Sequence, residues 1–99
     1  MLRTSYCEFW ALAYLVWMSS VVPGENSDLF INGSQIHIQT EDWGTEKQVL
    51  MCRVFKNGSV FKTFKLAYDK IDKVELENIR RTALVKFHQT VIDWSYQQI

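Results

Sequence analysis

Two parts of the chain alternate between apolar and polar residues, and an Asn-Gly pair divides each of them. Alternation places successive side chains on opposite faces of a strand, and both central positions of a tight hairpin turn need the positive φ that Asn and Gly tolerate. The sequence therefore predicts two antiparallel β-hairpins. Their turns and flanking strands are Asn32-Gly33 between residues 29–31 and 35–39, and Asn57-Gly58 between residues 48–55 and 60–66.

The two-residue turn of the first hairpin also predicts its register, because loop length and strand pairing are linked. Asp28 is expected to lie across from His37. Gln35 and His37 then point to one face, and the apolar residues of the hairpin point to the other. The residues of that apolar face are Leu29, Ile31, Ile36 and Ile38.

The second hairpin carries apolar residues on both faces. The turn predicts a core face that pairs Phe55 with Val60, Arg53 with Lys62, Met51 with Phe64 and Val49 with Leu66. This register places two basic side chains opposite each other in the core, which is a conflict. The other face carries Leu50, Cys52, Val54 and Phe61, and we expect it to meet either the N-terminal segment or a second chain, since exposed apolar strips are typical of interfaces.

After Tyr68 the apolar residues recur with a helical period. Asp72 and Glu75 resemble a capping box, which predicts a helix that starts near Lys73 and runs for roughly 25 residues, or nearly 40 Å. A short sheet spans only about 20 Å. The helix is therefore expected to break or to overhang, with Val91, Ile92, Trp94 and Tyr96 on a free end. Its predicted core stripe is Leu76, Ile79, Ala83, Phe87, Val91 and Trp94.

These elements predict an α+β fold in which two antiparallel β-hairpins form a four-stranded sheet, followed by one long C-terminal amphipathic helix. The ββββα domain is predicted over residues 28–99. Residues 1–27 form an apolar N-terminal extension or leader that need not belong to the fold.

The apolar run of residues 9–22 allows three interpretations. It is shorter than the roughly 20 residues of a membrane-spanning helix and has the length of a signal-peptide apolar region, but it lacks a basic start and an Ala-x-Ala cleavage site. Translation from Met18 would give a polar leader, which favours a cytoplasmic domain and is the interpretation we prefer. A secreted protein, or one anchored to a membrane through residues 9–22, is the alternative.

The charge balance and the cysteines exclude several classes of protein. Eleven basic residues balance eleven acidic ones, so the basic excess that is typical of nucleic-acid binding is absent from the sequence. Cys7 and Cys52 have no Cys-x-x-Cys partner, which argues against a disulfide framework or a zinc site. The folded part is small, and small cores often gain stability through self-association.

The strand around His37 carries the strongest candidate binding residues. His37, Gln39 and Glu41 are two apart and therefore share one face of a strand, where a small ligand or a metal ion could bind with His88 supplied by the helix. Trp43, on the polar connection of residues 41–46, is either an exposed anchor for a partner or a cover for the sheet edge. No nucleophile stands beside a base at a diagnostic spacing, so we expect no enzyme, no catalytic residue and no cofactor.

The stretch His37-Ile38-Gln39-Thr40-Glu41-Asp42-Trp43-Gly44, followed by Gly58, Tyr68 and His88, resembles a family of small uncharacterised bacterial domains with a His-Ile-Gln-Thr-Glu-Asp-x-Gly strand motif. The resemblance covers roughly residues 28–95. It implies a bacterial, cytoplasmic domain, and it implies that His37, Gln39, Glu41, Tyr68 and His88 act together. It implies no particular activity.

The sequence thus favours a non-enzymatic binding or interaction module that forms a homodimer or binds another protein, and not nucleic acid. The surplus of apolar surface on the second sheet face and on the helix end carries this interpretation. The alternative is a small-ligand or metal-binding domain centred on His37, Gln39 and Glu41.

Overall fold

Four antiparallel strands lie side by side in chain order, and one long helix packs across a single face of the sheet. The structure is a computed structural model that describes residues 21–99. The strands are β1 (Glu25–Ile31), β2 (Ser34–Asp42), β3 (Val49–Lys56) and β4 (Ser59–Ala67). The helices are the single turn α1 (Gly44–Lys47), a 3-10 turn (Tyr68–Lys70) and α2 (Glu77–Gln98). The predicted α+β fold is confirmed.

Both Asn-Gly pairs form the turns that the sequence predicts. Asn32 and Gly33 have φ values of 49° and 82°, and Asn57 and Gly58 have φ values of 50° and 90°. Positive φ at both central positions matches the right-handed twist of the flanking strands, so each turn lets its strands pair directly. The two turns lie at the same end of the sheet because β1 and β3 both run towards it.

The register of the first hairpin is also as expected. Asp28 pairs with His37 and Leu29 pairs with Ile36. Ile31, Ile36 and Ile38 are buried in the core beneath α2.

The register of the second hairpin differs from the prediction. Phe55 pairs with Val60 as expected, but Val54 pairs with Lys62, so Phe61 is an extra residue in β4 and forms a β-bulge. Beyond the bulge every pairing is shifted by one residue. The core face is therefore the one with Leu50, Cys52 and Val54, opposite Leu66, Phe64 and Lys62.

The bulge has a clear physical reason. A one-residue shift of register moves a whole strand's side chains to the other face. The shift brings Phe64 and Leu66 to the same face as Leu50 and Cys52, where they pack against the core. With Leu50 and Cys52 on the core face, Arg53 lies on the opposite face of the sheet.

Helix α2 begins later than the capping box predicts. Lys73 has a φ of 59°, which interrupts helical geometry, and the helix begins at Glu77 with Leu76 as an N-cap that makes no side-chain hydrogen bond. The preceding loop is held instead by the Arg80 Nη1 donor, which lies 2.8 Å from the Val74 carbonyl oxygen. The expected start near Lys73 is wrong.

The buried stripe of α2 is rotated from the predicted one, and the helix does not overhang. Of the predicted stripe only Val91 is fully buried. The end of the helix lies at the first hairpin turn, where Asn32 Nδ2 donates to the Ile99 carbonyl oxygen over 2.7 Å, and Trp94 meets the Phe64 ring edge-on at 5.0 Å. The residues that α2 buries are Arg80, Leu84, His88, Val91 and Ser95.

Candidate functional site

Alternation along β2 divides the predicted site residues between two faces of the sheet. Ile36, Ile38, Thr40 and Asp42 point towards α2 and are buried. His37, Gln39 and Glu41 point to the opposite face and are half-buried. We call this side of the sheet, which α2 does not cover, the outer face.

On the outer face His37 forms a pair with Asp28 from the neighbouring strand. Its Nδ1 atom lies 2.8 Å from Asp28 Oδ1. Because a carboxylate only accepts hydrogen bonds, Nδ1 is the donor. The ring also stands 5.8 Å from the ring of Phe55, with the two planes tilted.

This pair lines an open groove of about 360 Å³ at the turn end of the outer face. The volume is within the usual range for small-ligand pockets. Its side chains combine an aromatic ring with amides, an imidazole and a carboxylate. The residues that define the groove are Asp28, Gln35, His37, Gln39, Phe55 and Gly58.

Next to the groove, Glu41 connects the other two predicted residues. Gln39 Nε2 donates to Glu41 Oε2, and Trp43 Nε1 donates to Glu41 Oε1 over 3.1 Å. The guanidinium carbon of Arg53 lies 5.6 Å from the centre of the Trp43 ring. Trp43 is 38% exposed, so it folds back beside the outer face without being covered there.

The outer face also exposes large apolar side chains at its turn end. Phe30 is 74% exposed and Val60 is 57% exposed. They flank the half-buried Phe55, which belongs to the groove. Exposed large apolar side chains on a sheet face are typical of an interaction surface.

Charges on the outer face are separated by strand. The register places Asp28 and Glu41 on β1 and β2, and Arg53 and Lys65 on β3 and β4. One half of the outer face is therefore acidic and the other half is basic.

His88 lies on the other side of the sheet, so it does not join His37 in one site. Its Nε2 atom is 2.8 Å from Ser27 Oγ, and its Nδ1 atom is 2.7 Å from Thr40 Oγ1. Thr40 Oγ1 in turn donates to Cys52 Sγ over 3.1 Å. The expected ligand site that combines His37 with His88 is wrong, because β2 separates the two rings.

Tyr68 also lies on the helix side and binds the buried carboxylate of Asp42. Its hydroxyl donates to Asp42 Oδ1, and the backbone amide of Gly44 donates to the same oxygen over 2.9 Å. The Arg80 Nε donor lies 3.1 Å from Asp42 Oδ2. Burial, assisted by the hydrogen bond and the negative charge of Asp42, raises the pKa of Tyr68. This cluster joins sheet, loop and helix, and it is remote from the groove.

Several residues of the groove and of the cluster around Asp42 were not identified from the sequence alone. The groove uses Gln35, Phe55 and Gly58, which meet only because two hairpins pair side by side. Asp42 could have been found, because it continues the inward alternation of Ile36, Ile38 and Thr40, and an inward carboxylate needs buried donors.

Neither a clustered metal site nor a membrane-spanning helix is found among residues 21–99. In this range, no group of three or more His, Cys, Asp or Glu residues is arranged to hold a metal ion. No helix within it has both the length and the apolar character needed to cross a membrane. Comparison of the chain with protein-family models, curated proteins and solved structures gives no match.

Proposed function

We propose that this chain is a non-enzymatic interaction module that binds a protein partner through the outer face. The observation that carries the proposal is that α2 covers one face of the sheet, whereas the other exposes Phe30 and Val60 beside an open groove. Exposed aromatic side chains are common among the residues that dominate binding energy.

The position of the buried nucleophilic side chains supports a binding function over catalysis. The His37 and Asp28 pair could orient a base, but the buried Thr40 and Cys52 lie on the opposite side of the sheet. Burial also raises the pKa of the Cys52 thiol, which disfavours the reactive thiolate. Neither residue can reach a ligand bound to the outer face.

The proposal is tested by the association of the full chain in sedimentation velocity over a wide range of concentrations. Phe30→Ser removes the most exposed aromatic ring of the outer face and is expected to reduce association strongly. Val85→Ser is the matched control, since Val85 is also exposed but lies on α2. The melting temperature of each variant shows that it is folded.

If both variants associate like the parent chain, the outer face is not the binding surface. Equal loss in both variants would instead indicate nonspecific apolar association. Only selective loss in Phe30→Ser supports the proposal.

A second candidate function is the binding of a small ligand in the groove, favoured by the pairing of His37 with Asp28. Its metal-binding form is tested by adding Zn²⁺ and following the melting temperature of the parent chain and of His37→Ala. An unchanged temperature in the parent chain would contradict metal binding at His37.

We propose a cytoplasmic location, supported by the resemblance to bacterial cytoplasmic domains. A secreted or membrane-anchored protein is the alternative, and it depends on residues 9–22, of which residues 9–20 lie outside the described part of the chain. Cell fractionation combined with the mass of the endogenous protein distinguishes these locations.

A further inference from the structure

The groove contains several free hydrogen-bond acceptors. Asp28 uses only Oδ1 with His37, which leaves Oδ2 open as an acceptor. Gln39 donates its amide to Glu41, which leaves its carbonyl oxygen open. The groove therefore offers a carboxylate and other acceptors next to the aromatic ring of Phe55. A guanidinium group fits this arrangement, because it is a flat cation with several hydrogen-bond donors.

The outer face itself carries such a group on the strand beside the groove. Arg53 lies on β3, paired with Gln39, but its guanidinium is turned towards the Trp43 ring and is not part of the groove lining. A single chain therefore presents an acceptor-rich groove and, next to it, an arginine that does not enter it.

Two identical sheets can stack face to face around a two-fold axis in two simple ways. If the axis runs across the strands, β1 lies on β1 and acidic residues meet acidic residues. If the axis runs parallel to the strands, β1 lies on β4 and β2 lies on β3 of the second copy. The acidic half with Asp28 and Glu41 then meets the basic half with Arg53 and Lys65.

The parallel axis also fixes the register, because rotation about it leaves positions along the strands unchanged. Arg53 of the second copy then lies over Gln39, the residue that Arg53 faces within its own sheet. Gln39 lines the groove, and Asp28 is one strand away and two residues along. Packed sheets are about 10 Å apart, a gap that an arginine and an aspartate side chain bridge together.

We infer that a second copy of this chain occupies the outer face, related by a two-fold axis parallel to the strands, and that its Arg53 enters the groove and pairs with Asp28. The inference rests on the proposed function and specifies its partner and geometry. By symmetry each dimer contains this ion pair twice, and Lys65 of the second copy comes close to Glu41.

The two-fold symmetry allows the ion pair to be tested by reversing the charge of Asp28 in one variant and of Arg53 in another. In D28R and in R53D each homodimer would hold two like-charged pairs, so we expect association to weaken about tenfold or more. A mixture of the two variants restores two opposite-charged pairs in the heterodimer. Sedimentation of the full-length variants, alone and mixed, should show that the mixture regains the association of the parent chain.

The control mixture combines D28R with the double variant D28R/K86D, which adds an acidic residue on the exposed side of α2 while keeping the like-charged pair. It should not restore association, since Lys86 lies away from the outer face. Melting temperatures of the single variants report folding. If R53D does not fold, the neutral variants D28N and R53Q replace the pair in a double-mutant cycle, in which a coupling near zero would overturn the inference.

The outcomes separate the inference from the proposed function. A parent chain that stays monomeric overturns the inference, but it does not overturn the binding of a different protein through the outer face. If the parent chain associates and Phe30→Ser does not, but the D28R and R53D mixture gains nothing, the outer face still binds a partner and the inferred geometry is wrong. Single variants that associate like the parent chain also overturn the inference.

Discussion

Asp42 shows how single polar residues hold the helix side of the sheet together. Each of its oxygens accepts two hydrogen bonds, and its donors come from four separate parts of the chain. The side chains of Asp42 and Arg80 are 0% and 3% exposed, so the ion pair is shielded from water. Removing one partner of such a pair typically costs about 3–5 kcal/mol, because the other charge stays buried. The donors of Asp42 are Val22 N, Gly44 N, Tyr68 Oη and Arg80 Nε.

His88 is a second buried polar residue, and its partners determine its tautomer. Thr40 donates its proton to Cys52 Sγ, so its oxygen must accept from His88 Nδ1. Nε2 then accepts from the Ser27 hydroxyl. This chain of hydrogen bonds is satisfied by a neutral ring, and burial lowers the pKa of His88, with Glu25 acting in the opposite direction.

The lowered pKa predicts how stability changes with pH. Below about pH 6.5, the usual pKa of histidine, the unfolded chain takes up a proton that the folded chain resists. The free energy of unfolding therefore loses this contribution as the pH falls from about 6.5 towards the folded pKa, by at most about 1.4 kcal/mol per pH unit. Denaturant unfolding of the parent chain and of His88→Gln, at several pH values, measures the difference.

Carboxylates also lose charge in acid, so the comparison with His88→Gln isolates the histidine. The variant is expected to be less stable at neutral pH and to lack the steeper decline below pH 6.5. Parallel curves for the two proteins would show that His88 does not resist protonation in the folded state.

At the level of elements, the start of α2 is a weak point. Leu76 occupies the N-cap with φ and ψ values of −83° and 124°, a geometry suited to a capping side chain, yet it cannot accept a hydrogen bond. Its side chain is 47% exposed, so little packing is lost if it is replaced.

Leu76→Ser is expected to stabilise the protein, because the serine oxygen can accept from the free amides of the first helical turn. The usual gain from such a cap is about 1 kcal/mol relative to a residue that cannot cap. Chemical denaturation of the parent chain, Leu76→Ser and Leu76→Ala measures the gain. Equal stability of the serine and alanine variants would contradict a capping role at this position.

The same elements show what the sequence could and could not predict. Both hairpins follow from Asn-Gly turns, which are local signals, and the pairing of Asp28 with His37 follows from the first turn. The bulge at Phe61 has no local signal, because it results from competition between two half-apolar faces for the space under α2. The helical stripe was misplaced because an apolar pattern cannot reveal that Arg80 and His88 find buried partners.

The residues of the candidate site also divide into those that the sequence predicts and those that depend on tertiary packing. Its strand residues His37, Gln39 and Glu41 share a face as predicted, since alternation is a property of one strand. The groove also needs Phe55 and Gly58, whose positions depend on how the two hairpins meet. The family resemblance groups Tyr68 and His88 with His37, but tertiary packing places them on the helix side.

At the level of the whole molecule, one helix on one face of a four-stranded sheet leaves the core small. Ten buried apolar residues form two clusters beneath α2, whereas the buried Met51 lies on the outer face. Strand β4 contributes to the two clusters through the half-buried Phe64 and Leu66. A domain of this size gains little from its own core, and burial of a second face would add to its stability. Association and folding should therefore be linked.

This link predicts that the melting temperature depends on protein concentration. If unfolding begins from a dimer, each tenfold increase in concentration adds about 0.7 kcal/mol per chain to the stability. For a domain of this length, that corresponds to a rise of about 3–5 °C. Calorimetry over a range of concentrations should show this rise for the parent chain and for Val85→Ser. Phe30→Ser should show no rise, because it unfolds as a monomer whose outer face is not buried by a second chain. A melting temperature that stays constant in the parent chain would mean that the outer face adds nothing to folding. An identical rise in Phe30→Ser would place the stabilising contact elsewhere on the molecule.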